Sequence, residues 1–150
     1  MIRLSLIGVR VEVPTNQPIV LLREEEGTRF LPIFIGSPEA TAIVYALQGL
    51  ATPRPLTHDL MANIFKGFGI AVERVIISEL KNSTYYARLI LQEENELGRK
   101  IVEIDARPSD CLAIATAQKR PIYVSANLFE KVEDMSEILN RINENESESE

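Results

Sequence analysis

Residues 29–48 read RFLPIFIGSPEATAIVYALQ and residues 100–119 read KIVEIDARPSDCLAIATAQK, and laying one over the other at an offset of 71 decides the fold. In both, alternating apolar residues run into a proline-bearing turn, and apolar residues at helical spacing follow, the pattern of a strand entering a helix. Ile33 meets Ile104, Glu39 meets Asp110, and Ala42, Ile43 and Ala46 meet Ala113, Ile114 and Ala117. Pro38 and Pro108 need an offset of 70, so the turn is one residue out of step. Any two strand-helix junctions share some of this pattern; the matched identities favour a duplicated half-domain.

Three strand candidates precede each junction. Before the first, Leu4, Leu6, Val9, Val11 and Val13 alternate with a phase slip near Gly8, the mark of a bulge. PTNQP (14–18) turns the chain into IVLL (19–22), and EEEGT (24–28) turns it into FLPIFIG, where Pro32 predicts an edge strand or a bulge. Before the second come VERVIISEL (72–80), TYYARLILQE (84–93) and KIVEIDA (100–106). Ser37-Pro38-Glu39 reads as cap, first-turn proline and first-turn acid of a helix whose stripe is Ala40, Ile43, Val44 and Leu47 and which Gly49 stops. A second helix is expected from about His58 to Lys66, a third from about Pro108 to Lys119, then a short strand PIYVS and helical stretches in ANLFEKV and MSEILNRI. The expectation is one α+β domain over 1–143, with pseudo-repeats at about 1–70 and 71–130. Its mixed or antiparallel sheet packs with helices, and a disordered acidic tail (144–150) follows.

The totals agree with one core, since a chain of 150 residues can bury about 70% of its unfolded surface. A single cysteine, Cys111, excludes an intramolecular disulfide and a cysteine zinc cluster, and points to the cytoplasm. Its neighbours Leu112, Ile114 and Ala115 make it a small buried hydrophobe. MIRLSLIGVRVEV is interrupted by Arg3 and Arg10, which does not suit a signal peptide, and no stretch is long enough to span a membrane. Net charge is −6, of which Glu144, Glu146, Glu148 and Glu150 contribute four, so the folded part is near neutral and carries no basic stripe. TYYARLIL, alternating and sparsely charged, is expected at a sheet edge where it would support a symmetric dimer. Tyr85 and Tyr86 face opposite sides of that strand.

Two polar groups stand out. In LTHDLM, Thr57 is a good N-cap, Asp59 a first-turn acid, and Leu56 and Met61 a hydrophobic staple. Helix initiation explains all of these but not the chain's one histidine, His58, which suits a general acid or base. In DARPSD, Asp105 or Ser109 can cap a helix and Arg107 can pair with Asp105 or Asp110 on the surface; the functional alternative is a carboxylate pair holding a divalent cation beside a phosphate-orienting arginine. Arg54, between Pro53 and Pro55, presents an exposed guanidinium or is a solvated loop charge.

LPIFIGSPEATAIVYALQG, PRPLTHDLM, VERVIISELKNSTYYARLIL and VEIDARPSDCLAIA, in this order and spacing, resemble the bifunctional nuclease family over about residues 3–130. The resemblance implies a compact α+β domain built on a duplicated motif, and cleavage of both RNA and DNA. Its signature positions fall on Glu39, Arg54, Pro55, Thr57, His58, Asp59, Asp105, Arg107, Ser109 and Asp110, and Cys111 stands where the family commonly has alanine. Our assignment of roles makes His58, Asp59 and Asp105 catalytic. Arg54, Arg107, Thr57 and Ser109 bind a single-stranded RNA or DNA substrate, and Asp105, Asp110 and Glu39 hold Mg²⁺ or Mn²⁺, with no organic cofactor. One histidine excludes a two-histidine transesterification, which favours metal-assisted hydrolysis. The competing reading is a non-enzymatic interaction module whose polar cluster binds a small anion or locks the two halves together.

Overall fold

The computed structural model describes residues 1–132. Strands β1 (Ile2–Glu12), β2 (Gln17–Glu24) and β3 (Phe30–Phe34) form an antiparallel meander, followed by helices α1 (Ser37–Gln48) and α2 (Thr57–Gly67). A second antiparallel meander, β4 (Ile70–Lys81), β5 (Thr84–Asn95) and β6 (Gly98–Ala106), leads into α3 (Pro108–Gln118), β7 (Ile122–Val124) and α4 (Ala126–Lys131). The expected tail (144–150) and the helical stretch MSEILNRI lie outside the described residues.

The seven strands make one mixed sheet in the order β3-β2-β1-β7-β4-β5-β6. Three-residue β7 joins the meanders, antiparallel to β1 and parallel to β4, and buries Ile122 and Val124 between them. The slip at Gly8 is a register shift between Leu6 and Gly8, and Pro32 sits on the edge strand β3, where its missing N–H interrupts no outer ladder. One expectation fails: β5, which carries TYYARLIL, is paired on both sides by β4 and β6. Its sparse charge reflects an interior strand, so the argument for a dimer through it falls.

The helices cover one face of the sheet. Leu89 and Leu91 of β5 share the core with Val20, Leu22, Val75, Ile43 and Leu112. Cys111, Leu112, Ala113, Ile114 and Ala115 are consecutive and all buried, so α3 is enclosed on every side over these residues. In α1 the stripe is shorter than its spacing predicts: Ala40 and Ile43 are buried, whereas Leu47 is half exposed near the helix end. Glu39, in the first turn, is buried.

Burial beside Asp110 and Asp105 pushes the Cys111 thiol from 9.0 up to about 12. The unfolded chain therefore loses this proton first, and the stabilisation, complete below about pH 9, is lost as pH rises toward 12. Cys111→Ala should flatten that alkaline decline in denaturant midpoints. Native protein should also resist iodoacetamide until it is unfolded; rapid native alkylation would contradict the buried thiol.

Candidate functional site

Helices α1 and α2 start one residue earlier than their expected caps, Ser37 and Thr57, suggest, and α3 starts at Pro108 as expected but is capped by neither Asp105 nor Ser109. Gly36, Leu56 and Arg107 are the extended N-cap residues, and Ser37, Thr57 and Pro108 are the first helical ones. Thr57 is therefore exposed inside the first turn and does not act as a cap. The shift also removes the Leu56–Met61 staple, because the fourth helical position is now Leu60, which is 53% exposed. Asp59 takes over the capping: its Oδ2 accepts the Leu56 backbone N–H at 3.0 Å, the acid half of a capping box. Asp59→Ala should cost about 1 kcal/mol in thermal or chemical unfolding while Asp59→Asn, which keeps an acceptor, should cost less.

Counted from the N-caps Gly36 and Arg107, Glu39 and Asp110 are each the third helical residue, in α1 and α3, and one guanidinium joins them. Arg107 Nη2 donates to Glu39 Oε1 at 2.8 Å, and Arg107 Nε donates to Asp110 Oδ2 at 2.9 Å. Asp110 Oδ1 lies 2.9 Å from His58 Nε2, at the start of α2. A continuous chain Glu39–Arg107–Asp110–His58 thus ties the beginnings of three helices together. Asp110, then Glu39, raise the Arg107 pKa above its ordinary value and hold it charged. Gly36 leaves room for the Glu39 carboxylate, since a Cβ there would stand 2.5 Å from Oε2.

His58 is nearly enclosed, its side chain 10% exposed. It forms part of the wall of a cleft of about 520 Å³ between α1, the loop after it, α2 and α3, with Tyr45, Leu50, Pro53, Leu56 and Asn63. Tyr45 and Asn63 did not stand out in the sequence, because an isolated tyrosine or asparagine on a helix has no spacing to mark it. Arg54 is exposed on the loop bordering this cleft, and its side chain makes no hydrogen bond or ion pair among the described residues. Ser109 is buried at 8% exposure on the other side, in a cleft it shares with Arg107.

Asp105 does not join the chain. It stands directly opposite Arg88 in the β5–β6 ladder and pairs with it, Arg88 Nη1 to Asp105 Oδ1 at 3.1 Å. The reason is strand parity: Ile104, Val102 and Ala106 lie opposite Leu89, Leu91 and Ala87 on the helix-covered face, so Asp105 points from the other face. Glu39, Asp105 and Asp110 consequently do not converge as the sequence led us to expect. Among the described residues no three His, Cys, Asp or Glu side chains form a group that could hold a metal ion.

Residues 20–137 match the bifunctional nuclease domain. An uncharacterized protein of Mycobacterium tuberculosis is 45% identical over 119 residues, covering 79% of this chain and 68% of that protein. Bifunctional nuclease 1 of Oryza sativa subsp. indica is 32% identical over 114 residues, and bifunctional nuclease 1 of Arabidopsis thaliana is 28% identical over 112. The alignments cover 34% of each of these plant proteins, so the chain matches about a third of their length. No helix among the described residues is long and apolar enough to cross a membrane. With its sequence matched over most of its length, the chain belongs to the bifunctional nuclease domain family.

Proposed function

We propose that this protein is a nuclease that hydrolyses phosphodiester bonds in RNA or DNA, with His58 as its general acid or base. The observation that carries the reading is the 2.9 Å contact between His58 Nε2 and Asp110 Oδ1 in the wall of a cleft. An ionised carboxylate only accepts hydrogen bonds, so in neutral His58 it selects the tautomer with hydrogen on Nε2 and leaves the lone pair on Nδ1. Asp110 also fixes the ring's orientation, and Arg107 in turn holds Asp110. A base oriented by a second group that is oriented by a third is the arrangement proton transfer requires. Arg54 and Arg107 are assigned to phosphate charge.

A cation held by Glu39, Asp105 and Asp110 does not fit this arrangement. The first and last give oxygens to Arg107 and the second to Arg88, so a divalent ion would first have to open both guanidinium contacts. We assign the proton transfer to His58 and no step to a metal. The test incubates highly purified protein with labelled single-stranded RNA and DNA in Mg²⁺, Mn²⁺ or EDTA, beside identically purified His58→Ala. Cleavage lost in the variant supports the nuclease reading, and the EDTA lanes report the cation requirement separately.

One observation favours the second reading, a non-enzymatic module. The four side chains are bonded to one another in one chain and α2 has no fully buried residue, so His58–Asp110 also serves to fasten α2 to α3. Under that reading His58→Ala loosens α2 and leaves any trace of cleavage unchanged. A strand-paired symmetric dimer would have to use β3 or β6, the strands at the sheet edges.

A further inference from the structure

Two strands bound the sheet, and only one of them is blunted. β3 has five residues, and the middle one, Pro32, has no N–H to offer a neighbour. β6 has nine residues and no proline; β5 pairs with one side of it, and among the described residues no strand pairs with the other. Its outward backbone N–H and C=O groups are therefore open to another strand. The centre of β6 is apolar as well: Ile101 and Ile104 are 48% and 39% exposed, and Val102 between them is half-buried.

The charges of β6 select the occupant. GRKIVEIDA carries its cations, Arg99 and Lys100, in its first half and its acids, Glu103 and Asp105, in its second. A parallel copy in register would set like charge against like, whereas an antiparallel copy sets the basic half against the acidic half. Directly opposed residues share a face, so a continuous sheet pairs odd positions with odd and even with even. All nine residues find an opposite only when the two-fold axis passes through the middle one, Val102. We infer that β6 pairs antiparallel with β6 of a second copy of this chain about a two-fold axis at Val102, joining two seven-stranded sheets into one. Arg99 of each copy then faces Asp105 of the other. Arg88 reaches only Oδ1 of Asp105, whose side chain is 71% exposed, and leaves Oδ2 for that second guanidinium. On the same face Ile101 opposes Glu103 and lies diagonal to its own copy; on the helix-covered face Val102 meets itself, with Ile104 diagonal to it and opposite Lys100. Axes through Lys100 or Glu103 would oppose each of these charges to itself, and an axis through Ile101 would leave Asp105 and Ala106 beyond the paired strand.

The experiment is sedimentation velocity on the full-length protein over about a hundredfold range of concentration, with amide hydrogen exchange on the same samples. The expected result is a reversible monomer–dimer equilibrium in which alternate amides of β6, and none of β3, lose protection on dilution. Arg99→Asp leaves β6 with acids at both ends and Asp105→Arg leaves it with cations at both ends. Each alone opposes like charges twice in the two-fold dimer and should weaken self-association about tenfold or more. An equimolar mixture of the two variants restores opposite charges at both places and should dimerise about as tightly as the parent, which also shows that each variant is folded. A parent that stays monomeric throughout, dilution-dependent protection in β3 instead of β6, or single reversals that dimerise like the parent would each overturn the pairing, as would natively folded variants whose mixture stays monomeric. The exchange pattern of the parent decides the matter even where a reversal disturbs the fold.

Discussion

His58→Ala lowers cleavage of single-stranded RNA or DNA by roughly 10² to 10⁴, the span that a positioned proton-transfer group contributes. The effect should appear in kcat more than in KM, because the imidazole acts on the proton moved in the transition state and adds little to ground-state binding. Asp110→Asn tests the same arrangement from the other side. It keeps the shape but removes the charge that selects the His58 tautomer and pairs with Arg107 at 2.9 Å, so activity should fall with only modest change in affinity. Circular dichroism and unfolding curves on each variant separate this outcome from a loosened α2. Equal residual cleavage in the parent and His58→Ala would mark a contaminant, and the 2.9 Å contact would then be a helix fastening.

Leu112→Ala destabilises the protein by about 2–5 kcal/mol, the cost of losing buried methyl groups together with the cavity left behind. Leu112 is fully buried in α3, two positions after Asp110, and its neighbours Cys111, Ala113, Ile114 and Ala115 are all buried too. The surroundings are held by the sheet and by α1, which limits collapse into the void. In a chain of this size the loss should lower Tm by on the order of 10 °C. Leu97→Ala is the control: Leu97 is 97% exposed in the β5–β6 turn, and its removal should stay within about 0.5 kcal/mol. A loss under about 1 kcal/mol for Leu112→Ala would mean that α3 is not enclosed as described. Since Asp110 rides on the same helix, partial activity loss in Leu112→Ala at temperatures below its Tm would report how firmly the core sets the site.

Much of the architecture was legible because period-two and period-3.6 patterns are local. The slip at Gly8, the edge position of Pro32, both strand-to-helix junctions and the burial of Cys111 follow from neighbours within a few residues. The equivalence of Glu39 and Asp110 was legible too, as an offset of 71 between two acids in matching first turns. The parity of β6 was also present in VEIDA, where Val102, Ile104 and Ala106 alternate with Glu103 and Asp105, and it bears directly on Asp105. Reading DARPSD as one cluster overlooked it, because closeness along a strand does not put side chains on one face.

The sequence by itself determined which segments are strands and helices, where they turn, and that acids open each of the helices α1, α2 and α3, since those choices rest on backbone sterics and local burial. Tertiary structure decided the rest: that β5 lies inside the sheet, that Asp105 faces Arg88, and that Arg107 bridges Glu39 and Asp110 while His58 closes on Asp110. Those contacts join residues 68 and 52 positions apart, and they exist only because burying the apolar faces of α1 and α3 against one sheet brings their N-termini together.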